Sequence, residues 1–168
     1  MALITEDGSG KSDAEAYISV VDASTYFTNR GIAAWDAIAT DALREAYLRQ
    51  STDYMIQMYR ARWEGARYTE AQALDWPRSG VVRDSWSVDA DEVPIEVQNA
   101  CAELALKASS GELAPDLTQG VVREKVDVIE VEYDKSSPQY TRYRSIDAML
   151  RPYLGATSSG VCVGLVRT

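Results

Sequence analysis

The sequence contains no histidine among its 168 residues. Histidine is the side chain most often used as a general base at neutral pH, as the base of a nucleophile pair, and as a metal ligand. Cysteine is scarce as well: Cys101 and Cys162 lie far apart, without the CxxC spacing of zinc or redox sites. Ser–His pairs, Cys–His pairs and imidazole metal ligation are therefore excluded, and we expect no catalytic, metal-binding or cofactor-binding residues and no enzymatic activity.

Long hydrophobic runs are also missing. No stretch is apolar enough to cross a bilayer, and the initial MALITEDGSGKSD lacks the basic start and apolar core of a secretion signal. We therefore expect a soluble protein, made in the cytoplasm, that contacts no membrane. Basic residues are outnumbered, 17 against 26 acidic ones, which gives a formal net charge of -9. This balance opposes non-specific binding to a nucleic-acid backbone.

Two segments resemble chemical motifs, but their context favours simpler interpretations. Residues 8–12, GSGKS, resemble the end of a phosphate-binding P-loop, yet Thr5 stands where that motif needs its first glycine. We interpret them as part of a flexible arm. Glu130, Glu132 and Asp134 alternate with apolar residues. Paired carboxylates can bind magnesium or transfer protons, but this alternation is more typical of a solvated strand face.

Hydrophobic residues make up 46% of the chain, which is enough for the core of one domain. Apolar spacing, capping residues and proline or glycine stops predict five helices. The first is capped by Asp22, runs to about Asn29 and stops at Gly31, and the second is a long helix over 41–60 capped by Thr40. A short third helix is opened by a Thr69–Gln72 capping box. The fourth starts at Pro94 and ends at Gly111, and a short fifth helix is capped by Ser145.

The predicted fold class is mainly α: a small helical bundle with a minor β element, a strand over about 121–134, and an extended C-terminal tail. We predict a flexible N-terminal arm over 1–16, a helical domain over 17–157 and the tail over 158–168. Trp63 and Trp76 are expected to anchor the core. Cys101 is expected to be a buried free thiol on an apolar helix face.

Three groups of residues are candidates for binding. The strand carries apolar side chains for pairing between subunits or within a small sheet. The tail carries apolar side chains for docking onto the portal protein or another subunit or, with similar weight, for pairing within its own sheet. A third group mixes cations with aromatic rings, a combination that can bind single-stranded DNA or pack at a protein interface. The strand group is Val126, Val128, Ile129, Val131 and Tyr133; the tail group is Val161, Val163, Leu165, Val166 and Arg167; the basic–aromatic group is Arg60, Arg62, Trp63, Arg67 and Tyr68.

The strings DAEAYISVVDASTYFTNRG, ALDWPRSGV and VPIEVQNACAELALKASSGEL resemble a tailed-phage family over about residues 2–155. Its members often carry the label DnaT-like single-stranded DNA-binding protein, and their place in phage genomes resembles that of head–tail connectors. The resemblance implies a virion protein at the head–tail interface. It also implies a ring of about twelve copies below the portal protein, with a tail-completion or nozzle protein as the next partner.

The label indicates binding to single-stranded DNA, whereas the genomic role indicates a structural connector. The net charge of the chain favours one of these functions over the other. Binding to single-stranded DNA favours clustered basic residues, whereas a channel through which double-stranded DNA passes must not grip it. The acidic chain fits the second requirement. The leading functional hypothesis is therefore a head–tail adaptor that links capsid to tail, and the alternative is a single-stranded DNA-binding protein.

Overall fold

The computed structural model describes residues 2–115, 121–125, 130–133 and 141–155, and its body is built from α-helices. The described helices are α1 (Val20–Thr28), α2 (Asp41–Tyr59), α3 (Ile95–Ala108) and α4 (Arg144–Leu150), with one 3-10 turn at Arg151–Tyr153. The described strands are β1 (Ala66–Arg67), β2 (Arg78–Ser79), β3 (Val82–Arg83), β4 (Trp86–Ser87), β5 (Val121–Lys125) and β6 (Glu130–Tyr133). They pair in sequence order as three antiparallel two-stranded units. The mainly α fold class with a minor β element is confirmed.

Helices α2 and α3 supply the centre of the core. The predicted apolar face of α3 is confirmed, because every member is buried: Val97, Cys101, Leu104, Ala105 and Ala108. Leu48 and Met55 of α2 are fully buried in the same cluster. The Cys101 Sγ lies 3.1 Å from the Oγ of Ser51, and burial raises the pKa of the Cys101 thiol. Cys101 is therefore an unreactive packing residue, as expected.

The helix caps agree with the sequence at α2 and differ at α1. Thr40 caps α2: its Oγ1 accepts a hydrogen bond from the Leu43 N–H at 3.3 Å. At α1 the cap is Ser19 rather than Asp22. The Ser19 Oγ accepts from the Asp22 N–H at 3.1 Å and donates to the Asp22 carboxylate at 2.6 Å. Asp22 thus lies in the first turn, where its charge suits the positive helix end.

Two other predicted helix starts are shifted by one residue or two. Pro94 is the residue before α3 rather than its first residue, and α4 begins at Arg144 rather than after Ser145. The predicted stop at Gly111 lies just beyond the C-cap Ser109. Such offsets at helix ends are small compared with the lengths of the elements.

The Thr69–Gln72 capping box forms, but the short helix predicted after it is absent. The Gln72 Oε1 accepts from the Thr69 N–H at 2.8 Å, and the Gln72 N–H donates to the Thr69 Oγ1 at 3.1 Å. The buried Gln72 amide then donates to the carbonyls of Leu74 and Pro77, at 2.9 and 3.0 Å. These bonds fold residues 69–77 into a compact loop, so the helix prediction was wrong here.

The β element at 121–134 is two strands rather than the single strand that was predicted. β5 and β6 pair antiparallel, with Val121 opposite Tyr133 and Glu124 opposite Val131, and an irregularity between Val121 and Arg123. The predicted strand is therefore divided into two paired strands, Val121–Lys125 and Glu130–Tyr133. Val131 and Tyr133 pair with their own chain. Val126, Val128, Ile129 and Asp134 lie outside the described residues.

Residues 2–16 pack onto the helical body and do not form the free arm that was predicted. Thr5 and Ala16 form an isolated bridge, and Ala14 and Ala16 are buried. The carboxylate of Glu15 accepts from the Ile4 N–H at 3.2 Å and from the Arg49 guanidinium at 2.9 Å. This segment is irregular, as expected, but it is tied to α2.

The glycine-rich turn at residues 8–11 binds a carboxylate of its own chain. The side chain of the buried Glu6 accepts from the backbone N–H groups of Gly8 and Gly10 at 2.9 Å and of Lys11 at 2.8 Å. Successive N–H groups of this kind form a concavity for anions. Because Glu6 fills it, the structure agrees with the interpretation that GSGKS is not a nucleotide-phosphate site.

We expect the tie between the N-terminal segment and α2 to weaken in acid. The hydrogen bond from Arg49, followed by the one from Ile4, lowers the pKa of Glu15 below its ordinary value of 4.5. A lowered folded-state pKa means that the stabilisation is complete at neutral pH and is lost as the pH falls from 4.5 through the folded-state value. The difference in Tm between the native protein and Glu15→Gln should therefore be largest at neutral pH and shrink over that range. A difference that stays constant with pH would contradict this account.

Candidate interaction surface

The basic–aromatic group predicted for single-stranded DNA does not form one surface. Trp63 is 7% exposed, and its ring contacts the rings of Tyr59 and Trp76 at centroid distances of 5.8 and 5.7 Å. Trp76 is fully buried. Both tryptophans are core anchors, as predicted. A base cannot stack on Trp63, because its faces are occupied by the core.

The cations of the group have separate environments. The Arg60 Nε lies 2.8 Å from the Oδ1 of the buried Asp75, which needs a counter-charge. The Arg62 guanidinium lies over the Tyr59 ring at 5.5 Å. Arg67 on β1 and the following Tyr68 are exposed. Arg60 itself remains about half exposed. The predicted site thereby keeps its exposed cations Arg60, Arg62 and Arg67 but has one accessible ring, that of Tyr68.

Arg78, in the string WPRSG, is directed into the protein. Its guanidinium donates to the carbonyls of Glu64 at 2.6 Å, Gly65 at 2.7 Å and Asp75 at 3.1 Å. Burial lowers the pKa of Arg78. The planar group is suited to several acceptors at once. Arg78 therefore holds the β1–β2 pair and is not available to bind phosphate.

A surface that the sequence did not predict lies around Trp86. Trp86 on β4 is 79% exposed, the highest value of any large apolar residue that the structure describes. The turn between β3 and β4 has positive φ at both central residues, 49° at Asp84 and 72° at Ser85, which matches the twist of a tight hairpin. Val82 and Ile95 are also more than half exposed.

A groove of about 370 Å³ lies between this hairpin and the start of α3. We call it the Trp86 groove. Its lining includes Trp86, Val88, Pro94 and Ile95, together with four carboxylates and one guanidinium: Asp84, Asp89, Glu92, Glu96 and Arg83. A lining that combines apolar side chains with several carboxylates is a poor fit for a polyphosphate chain and a good fit for a protein segment.

The floor of the groove is fixed by a polar network. The Arg83 guanidinium donates to the Glu96 carboxylate and to the Tyr153 Oη, the latter at 2.7 Å. The Tyr153 Oη donates to the other Glu96 oxygen at 2.7 Å. Burial and the neighbouring Glu96 raise the pKa of Tyr153 to about 12. The network links β3, α3 and the 3-10 turn, so the hairpin side of the groove is tied to the helical body.

With these surfaces described, the chain can be compared with known proteins. Residues 1–168 match a family described as "Putative DnaT-like ssDNA binding protein". The chain belongs to this family. No curated protein and no solved structure matches it. The DnaT-like family is the one that the sequence resembles, and the match itself does not mention head–tail connectors.

The tail and strand candidates of this DnaT-like chain lie wholly or partly outside the described residues. The tail group Val161, Val163, Leu165, Val166 and Arg167 lies outside the described residues. Within the described ranges, no helix is long and apolar enough to cross a membrane, and no three acidic or cysteine side chains are grouped so as to hold a metal ion. The side chains of Glu130 and Glu132 on β6 are not described.

Proposed function

We propose that this protein is a structural subunit that works by binding other protein subunits, as a head–tail adaptor of a tailed phage. About twelve copies would form a ring below the portal, around the DNA channel, and link the capsid to the next tail component. The Trp86 groove is the observation that carries the proposal. An exposed tryptophan with neighbouring apolar side chains is the composition of a protein-interface centre.

Charge supports the same proposal. A ring around a channel must let double-stranded DNA pass without retaining it, and a chain of net charge -9 does not bind phosphates non-specifically. Several of its cations are used internally, since Arg60 pairs with Asp75 and Arg78 binds three carbonyls. The resemblance of residues 2–155 to head–tail adaptors supports the location in the virion.

A second candidate function, binding of single-stranded DNA, is favoured by the description of the family. On this chain it would use the exposed Arg62, Arg67 and Tyr68. Proteins of this class combine a basic groove with several stacking rings. Here Trp63 is buried and only Tyr68 of the predicted rings is well exposed. We rank this function second because the burial of Trp63 leaves a single stacking ring and the chain is acidic overall.

One binding experiment with two ligands separates the two functions. We expect purified portal protein to bind the full-length chain, and a labelled single-stranded oligonucleotide at low salt to show little change in fluorescence anisotropy. The double variant Arg67→Ala/Tyr68→Ala should bind the portal as the native chain does. Tight oligonucleotide binding that weakens steeply with salt, and is lost in that variant, would establish the DNA-binding function instead.

A further inference from the structure

We propose that the Trp86 groove binds the C-terminal segment 161–167 of a second copy of this chain. This inference rests on the proposed function and names the partner of that surface. Assembly into a ring requires each subunit to carry a donor element and an acceptor element. The tail is the donor and the groove is the acceptor.

The apolar pattern of the segment fits the groove. In an extended conformation, alternate side chains point the same way, so Val161, Val163 and Leu165 would share one side over about 13 Å. Cys162 and Gly164 between them are small and add little bulk. The apolar lining of the groove is provided by Trp86, Val88, Pro94 and Ile95. Burying three aliphatic side chains there would remove the apolar surface of the segment and that of the groove from water, which favours binding.

The backbone of the hairpin also offers partners to an extended segment. Among the described strands, β3 and β4 pair only with each other, so their outer edges carry no further strand. An added strand at such an edge satisfies its own N–H and C=O groups while its side chains fill pockets. The edge of β4 carries Trp86 and Ser87, which also line the groove.

Charge favours this occupant. The groove is lined by four carboxylates and one guanidinium, and the guanidinium of Arg83 is already bound by Glu96 and Tyr153. Residues 158–168 contain a single charged side chain, Arg167. It lies two residues beyond Leu165 and would meet the carboxylates of the lining when Leu165 occupies the groove. Complementary charge of this kind fixes the register of an interface.

The last described residues lie close to the Trp86 groove, since Tyr153 lines it. Leu154 pairs with Trp63, and the Gly155 N–H donates to the Arg62 carbonyl at 2.8 Å. Leu154 and Gly155 line a neighbouring depression with Arg62 and Glu64. The ring of the proposed function, rather than this geometry, favours the groove of an adjacent copy over the subunit's own. Residues 156–168 can extend about 40 Å, which is enough to reach an adjacent subunit.

The native Cys162 allows a direct test by cross-linking. The change Ser87→Cys places a thiol on the exposed β4 in the groove lining, while Cys101 is buried and inert. With a thiol oxidant, full-length Ser87→Cys should form disulfides between copies and give a ladder of covalent oligomers on non-reducing gels. The ladder should form at least about tenfold faster than for a matched surface thiol, because docking raises the effective concentration.

Ser110→Cys is the matched control, since Ser110 is exposed at the far end of α3 from the groove. Adding Cys162→Ser to Ser87→Cys should abolish the ladder. A disulfide within one chain, seen as a faster-migrating monomer, would overturn the proposal in favour of the subunit's own tail. Oxidation of Ser87→Cys no faster than of Ser110→Cys would overturn it altogether.

A second variant tests the contact without new thiols. Trp86→Ala should reduce concentration-dependent self-association in sedimentation velocity. Val21→Ala should not, since Val21 is an apolar residue on α1 with a similar exposure, 73% against 79% for Trp86. Equal association of the two variants would count against the groove. Binding of the portal by a chain that fails both tests would leave the proposed function standing and reject only the tail–groove contact.

Discussion

Replacing Trp76 by alanine is expected to remove about 3–5 kcal/mol from the free energy of unfolding. Trp76 is fully buried, and its ring meets the edges or faces of Trp63 and Tyr153 at 5.7 and 5.6 Å. Removing it leaves a cavity where the core of the helical body joins the β1–β2 pair and the 3-10 turn. Since domains are typically stable by about 5–15 kcal/mol, this loss can unfold much of the population. Urea denaturation followed by circular dichroism measures the change.

Trp86→Ala is the matched control for that experiment. It deletes the same ring from a position that is 79% exposed, so the free energy of unfolding should change by no more than about 0.5 kcal/mol. Comparable destabilisation by both substitutions would show that Trp86 belongs to the core, and that result would remove the basis for the interaction surface. The expected contrast instead assigns Trp76 to the core and leaves Trp86 with no large part in stability.

The elements that could be predicted from sequence are those whose burial is set by a local repeat. In α3 the apolar residues recur at helical spacing, and every member of that face is buried. Thr40 identified the start of α2 because its side chain satisfies a free N–H group of the first turn. At α1 Ser19 and Asp22 are both capping residue types. They hydrogen-bond each other, so composition alone could not assign which one is the cap.

The β elements were harder to predict because their strands are very short. β3 and β4 have two residues each, which is too few for a period of two to appear. The Asp84–Ser85 turn lacks the glycine that usually marks a tight hairpin. Trp86 was overlooked for a related reason: its hydrophobicity suggests burial, and only the folded hairpin shows that it faces solvent. An isolated aromatic residue beside a turn could have been the signal.

The candidate DNA site shows why closeness in sequence does not establish a shared surface. Arg60, Trp63 and Arg67 lie within one short stretch, between the end of α2 and the β1–β2 pair, yet their environments differ. Trp63 completes the core, Arg60 meets the buried Asp75, and Arg67 faces solvent. Residues of the same types therefore belong partly to the core and partly to the surface. The sequence alone allowed both a DNA-binding group and a group packed at the end of the helix.

Arg78→Lys is expected to lower the free energy of unfolding by about 3 kcal/mol, although it conserves the charge. The guanidinium of Arg78 reaches three carbonyls, those of Glu64, Gly65 and Asp75. The lysine side chain is shorter and ends in a compact ammonium group, which cannot donate to all three carbonyls. A buried carbonyl left without a donor lowers the stability of the folded state. Burial also lowers the pKa of Arg78, and a lysine there would be more easily neutralised.

Arg67→Lys supplies the comparison, because Arg67 lies directly opposite Arg78 in the β1–β2 pair and is exposed. Its substitution should change the free energy of unfolding by at most about 0.5 kcal/mol. The two substitutions also separate folding from DNA binding. If Arg78 were a phosphate-binding residue, Arg78→Lys would keep the fold stable and alter only affinity for an oligonucleotide. Loss of stability at Arg78, with none at Arg67, instead assigns the Arg78 guanidinium to the scaffold that joins β1, β2 and the loop before them, and removes it from any DNA-binding surface.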